Sequence, residues 1–128
     1  MKSKNWYDIE QVYKHQIYQS NTESASAKFE GLHYALQLIP LLKKSVVLSV
    51  AIRNVGFFTM NFHSINNEQM WVNIVPPSPI LTGSPIEFNI ALYGFDASQV
   101  PHILAEKRVS CLSLDDVVKI AEHYFAKL

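Results

Sequence analysis

Cysteine is almost absent from this 128-residue chain, Cys111 being the only one. An intrachain disulfide is therefore excluded, and a reducing, cytoplasmic setting is the expectation. Glycine is scarce too: the four residues Gly31, Gly56, Gly83 and Gly94 are scattered, and they make no loop that could cradle a phosphate. Neither a nucleophile elbow nor a His-Glu-x-x-His zinc motif occurs. No apolar run is long enough to suggest a membrane helix, because the most apolar stretch, Val46 to Phe62, is interrupted by Arg53 and Asn54. The polar start, Met1 to Glu10, lacks a signal-peptide core. An excess of either charge is missing as well. Eleven basic residues balance eleven acidic ones, which argues against bulk nucleic-acid binding and against a polybasic membrane patch. Charge is rarest in the middle, where residues 45–95 carry only Arg53, Glu68 and Glu87.

What is present suits a globular protein. The chain is 48% hydrophobic and 17% charged, and a chain of this length can bury about two-thirds of its surface. One domain over residues 1–128, with no metal or disulfide staple and no cofactor, is the expectation. Trp6, Ile9, Tyr13 and Ile17 recur at helical spacing over about Asn5 to Tyr18. Ala25, Phe29, Leu32, Leu36 and Ile39 do the same over about Ser24 to Leu38, where Pro40 should end or kink the helix. A last amphipathic helix is marked by Ser113 as cap, Asp116 three residues on, and the stripe Leu114, Val117, Val118, Ala121, Phe125 and Leu128.

Between the helices the apolar residues alternate, as strands with one buried face require. The sets are Val46, Leu48, Val50, Ile52; then Phe58, Met60, Phe62; then Met70, Val72, Ile74; then Ile86, Phe88, Ile90, Leu92. Four consecutive strands of this kind predict an antiparallel meander. Asn54-Val55-Gly56 suits a three-residue hairpin that pairs Arg53 with Phe57. A two-residue turn at Asn66-Asn67 would throw the apolar sets onto opposite faces, so an odd-length loop or a bulge is expected there. The run from Pro76 to Pro85 is too proline-rich for a strand interior. Asp96 or Ser98 could cap a short helix to about Glu106, followed by a fifth strand over Arg108 to Leu112. The fold class is thus α+β: two N-terminal helices, an antiparallel sheet of four or five strands, and a C-terminal helix.

Candidates for chemistry are weak. The five histidines share no two-ligand spacing, and one cysteine cannot complete a zinc site. Glu30 and His33 form one Glu-x-x-His pair where a di-iron bundle needs two, so a helix-surface contact is the simpler reading. Cys111 sits in an apolar run and reads as a small buried hydrophobe. Ser113 reads as a cap, and the adjacent Asp115 and Asp116 point apart on a helix. The chain is not expected to be an enzyme.

The face opposite the apolar set is more informative. Its residues would be Ser45, Val47, Ser49, Ala51, Arg53, Phe57, Thr59, Asn61, His63, Trp71, Asn73, Val75, Glu87, Asn89, Ala91 and Tyr93. Little charge combined with Trp, Tyr and Arg is the composition of a protein interface. Trp71, Tyr93 and Phe57 would be anchors, with Arg53, His63 and Glu87 orienting the partner. Two other readings compete. The C-terminal helix could cover this face, or its rings could line a small-molecule or enzymatic pocket between sheet and helices. Self-association through the same face is a further arrangement that this composition permits.

The segment Val109-Ser110-Cys111-Leu112-Ser113-Leu114-Asp115-Asp116, continuing from Val117 through Phe125, places a strand, a Ser cap and an amphipathic helix at the end of a small sheet domain. This organisation resembles the small immunity proteins of bacterial polymorphic-toxin systems, including contact-dependent growth inhibition. The resemblance implies a non-catalytic cytoplasmic inhibitor that occludes a cognate toxin domain. Inhibitors of nucleic-acid-cutting toxins are often strongly acidic, whereas this chain is neutral, so no nuclease target is implied.

Overall fold

Asn5 opens the first helix by accepting the Asp8 amide on its side-chain oxygen at 2.8 Å, an N-cap that satisfies a donor the helix cannot. The computed structural model describes residues 3–19, 26–56, 59–77 and 86–128. The elements are α1 (Trp6–Gln19), α2 (Ser26–Lys44), β1 (Ile52–Gly56), β2 (Thr59–Ser64), β3 (Asn67–Val75), β4 (Glu87–Phe95), β5 (Pro101–Ser110) and α3 (Leu114–Phe125). The five strands form one antiparallel sheet in the order β1-β2-β3-β4-β5. This is the α+β meander that the alternation predicts.

The core lies between one face of the sheet and the helices. Met60, Phe62, Val72, Ile74, Phe88, Ile90 and Leu92 are buried with Ile9 and Tyr13 of α1, Leu38, Ile39 and Leu42 of α2, and Val117, Ala121 and Tyr124 of α3. Parity is preserved from β2 to β3 by a register shift between His63 and Ser64, a bulge in the region where one was expected. A second shift, between Leu92 and Tyr93, adjusts β5 against β4.

Four local expectations are corrected. Val46–Ile52 is not a strand: residues 46–50 form a turn, Leu48 is buried, and Val46 and Val50 are 85% and 79% exposed. Ser45 governs this turn, its Oγ accepting the Leu48 amide at 3.2 Å and donating to Glu122 of α3 at 2.7 Å. Such side-chain bonds offer the backbone an alternative to a ladder. The first strand begins at Ile52, and Arg53 pairs with Phe62 rather than with Phe57. The last pair of that hairpin is Gly56 with Thr59, and the Phe57 and Phe58 between them lie outside the described residues.

Pro40 does not end α2, which runs to Lys44. The proline faces solvent while Leu38, Ile39 and Leu42 are fully buried around it. Burying those three side chains, at about 1.5–3 kcal/mol each, exceeds the roughly 3 kcal/mol an internal proline costs. The helix expected from Asp96 to Glu106 is instead a tight connection followed by β5. The Asp96 side chain accepts the amides of Ser98 and Val100, and Gln99 adopts a φ of 60°, which turns the chain back. Pro101 begins an exposed edge strand, where a missing amide is harmless. Ser113 does cap α3, though through its backbone: its carbonyl accepts from Asp116 and Val117, and its hydroxyl makes no cap bond.

Candidate functional site

Register fixes which side chains meet on the face away from the helices. Ile52, His63, Trp71, Tyr93 and Ile103 stand opposite one another on β1 to β5 and form one row across the sheet. Directly opposed side chains in an antiparallel sheet lie close enough to interact. Here they stack. The His63 and Trp71 rings are 5.9 Å apart at 22°, and those of Trp71 and Tyr93 are 5.4 Å apart at 7°. Phe95, two residues beyond Tyr93, leans on Trp71 at 4.9 Å and 52°. Trp71 is thus held on three sides, and all four rings remain partly exposed. Such a cluster is a rigid apolar ridge whose shape is set before any partner arrives.

The neighbouring row is Asn54, Asn61, Asn73, Ala91 and Glu106. Its three amides are joined in sequence, Asn73 donating to Asn61 at 2.8 Å and Asn61 to Asn54 at 3.0 Å. Ala91 is buried although it lies apart from the helix-side core. The charged residues of this face, Glu87, Glu106 and Arg108, sit on β4 and β5 beyond the aromatic row. Among the described residues no helix lies over the face, since all three helices join the core on the other side. Pro77, just after β3, lies against α2: a Cβ at Gly31 would run into its carbonyl oxygen.

Of the six predicted docking residues, the structure brings together Trp71, Tyr93 and His63. Glu87 shares their face, but it lies six residues from Tyr93 along β4, or about 20 Å at the usual rise per residue. Phe57 lies outside the described residues. Arg53 is on the wrong face. Because the last pair of the hairpin is Gly56 with Thr59 and not Arg53 with Phe57, Arg53 pairs with Phe62 and projects to the helix side. Its guanidinium lies 4.5 Å over the Trp6 ring and donates to the carbonyls of Ser49, Ala51 and Lys4. It fastens the N-terminal segment to the sheet. Phe95 and Ile103 were missed. Phe95 continues the alternation from Tyr93 and could have been read from it, whereas Ile103 was hidden by the helix expected there.

The remaining chemistry is quiet. Burial, with the Glu87 carboxylate nearby, pushes the Cys111 thiol up to about 12, so it is no ready nucleophile. No group of three or more metal-ligating side chains exists among the described residues. The Glu30 side chain lies outside what is described. Between sheet and helices Phe62, Phe88, Ile74 and Ile90 are fully buried. An open groove of about 460 Å³ lies at the margin of this core, where Lys107, Ser110, Ser113, Asp116 and Lys119 line the join of β5 and α3. Four charged side chains, Lys107, Arg108, Asp116 and Lys119, line it, which is unlike an apolar ligand pocket. No described helix is long and apolar enough to cross a membrane. No family model, curated protein or solved structure matches the chain.

Proposed function

We propose that the protein is a non-catalytic binding module whose outer sheet face docks a partner protein. Following the organisational resemblance, the partner is a toxin domain held inactive by occlusion, as an immunity protein would hold it. The observation that supports docking is the His63–Trp71–Tyr93 stack with Phe95, set in a row without charge on a face that no described helix covers. Preorganised aromatic side chains lose little entropy on binding, and Trp and Tyr are enriched among the residues that dominate interface energies. The polar asparagine row beside them supplies orienting hydrogen bonds.

Wild-type protein, Trp71→Ala and the helix-face control Lys119→Ala, immobilised side by side, test this in native lysate. A partner retained by wild type and Lys119→Ala should be lost or weakened at least 30-fold by Trp71→Ala, the equivalent of about 2 kcal/mol. Equal retention by a folded Trp71→Ala protein would place the interface elsewhere. Inhibition of the retained partner's toxicity on co-expression would then test the toxin assignment.

A further inference from the structure

β5 is an edge of the sheet, and its ladder with β4 fixes which of its peptide groups are spare. The Cys111 amide donates to the Ile86 carbonyl at 3.0 Å, one step beyond the pair Glu87–Ser110. Antiparallel pairs alternate between those that exchange both N–H···O bonds and those that exchange none. Counting back from Cys111 through an unshifted register, Val109, Lys107 and Ala105 bond to β4, and the peptide groups of Ser110, Arg108 and Glu106 point away from it. The Ser110 carbonyl is taken by the Ser113 amide. Those of Glu106 and Arg108 have no partner among the described residues. The opposite edge is covered: the Lys4 amide donates to the Arg53 carbonyl at 2.7 Å, and the Arg53 amide donates to Ser3 Oγ at 3.1 Å. A strand of ten residues with spare donors and acceptors is a template for another strand.

Charge selects the strand that fits. Glu106 and Arg108 stand side by side on the outer face, both exposed. The ion pair among the described residues is Lys14 with Glu10, so neither Glu106 nor Arg108 is neutralised within the chain. A twofold axis normal to the sheet would run a second β5 antiparallel to the first and keep outer face beside outer face. With Lys107 on that axis, Glu106 of each copy lies directly opposite Arg108 of the other, and the spare peptide groups of both residues pair. Moving the axis by one residue sets Glu106 against Glu106, or Arg108 against Arg108. The two Lys107 side chains meet on the helix side, where each shares a groove with Asp116 of α3, a carboxylate that offsets their repulsion. The same register lays Ile103 and Leu104, 44% and 47% exposed, along the turn after β5 of the second copy, where Leu112 is 89% exposed.

We propose that the protein self-associates through β5, two copies joining into one continuous antiparallel sheet about a twofold axis at Lys107. The aromatic ridges of both copies then face the same way and stay uncovered, so this pairing does not rest on the docking proposal.

Sedimentation of the full chain tests it. Pairing along one edge is small for an interface, so the mass should rise from 14.6 kDa toward twice that between about 5 µM and about 1 mM. Glu106→Arg and Arg108→Glu each bring like charges together twice across the axis and should weaken the dimer at least about tenfold. The double variant Glu106→Arg/Arg108→Glu should restore it, and added salt should weaken wild type and double variant alike. Lys107→Cys gives an independent readout: at the axis it should oxidise to a disulfide-linked dimer, whereas His102→Cys, far from its own copy in this register, should not. A wild-type protein that stays monomeric at about 1 mM overturns the proposal. So does a dimer that both folded single variants leave unchanged, or one that the double variant does not restore. A monomer whose retention of a lysate protein is lost with Arg108→Glu would give this edge to that protein and equally overturn the pairing.

Discussion

Arg53 on β1 and Trp71 on β3 are both large side chains, and they occupy opposite faces of the sheet. Arg53 stacks on Trp6 and donates to three backbone carbonyls. Arg53→Ala should therefore destabilise the fold by about 1–3 kcal/mol, from the lost cation–π contact and the carbonyls left without a donor. Chemical denaturation measures this, and partner retention by the protein that remains folded should match wild type. Cys111 is 3% exposed and its thiol is raised to about 12. Its reaction with a thiol reagent at pH 8 should be at least about a hundredfold slower than that of an unfolded peptide. A fast reaction in the native state would show that the site opens. The faces of Trp71 and Tyr93 were legible in the sequence because each sits within an alternating run, and the burial of Cys111 because it sits in an apolar one. The position of Arg53 was not, since closing the hairpin on Gly56 and Thr59 instead of Arg53 and Phe57 shifts the register and reverses its face.

At the scale of elements, two connections decide what alternation alone cannot. Residues 46–50 repeat the strand pattern, yet Ser45 fixes a turn from one side and ties it to Glu122 of α3 from the other. Such a contact, 77 residues apart in the chain, leaves no local signal. Ser45→Ala should cost about 1–3 kcal/mol, because it strands the partly buried Leu48 amide and the Glu122 carboxylate. Gly31 is the second case. A glycine inside a helix ordinarily gains stability on replacement by alanine, but here the Cβ would meet the Pro77 backbone. Gly31→Ala should therefore destabilise by about 1–3 kcal/mol. Gly56, with open space around its Cβ position, serves as the control, and thermal melts of the two variants decide the comparison. β5 was misread because Pro101 and Asp96 suit a helix start as well as a turn and an edge strand. Only its pairing with β4 separates the two.

For the whole molecule, the sheet divides the protein into a helix-covered half that stabilises it and an outer half that no described helix covers. The covered half holds the core, and its residues on β2 to β4 follow the sequence alternation. The outer half concentrates rings and amides on β1 to β4 and leaves charge to β4 and β5. The His63 pKa is depressed by burial, so the native state holds the neutral form more tightly than the unfolded chain does. Its contribution to stability is complete above about pH 6.5. It is lost as pH falls through the lower native value. His63→Gln should flatten that part of the stability profile between pH 7 and pH 5 in denaturant titrations, while an unchanged slope would assign the loss to other groups.

Hydroxyl-radical footprinting of the protein alone and in complex with the partner it retains tests the docking surface most directly. The account predicts that Trp71, Tyr93 and Phe95 lose reactivity on binding, while Tyr7 on α1, which is 67% exposed, keeps its own. Protection of Tyr7 with Trp71 unchanged would contradict it and move the interface to the helices.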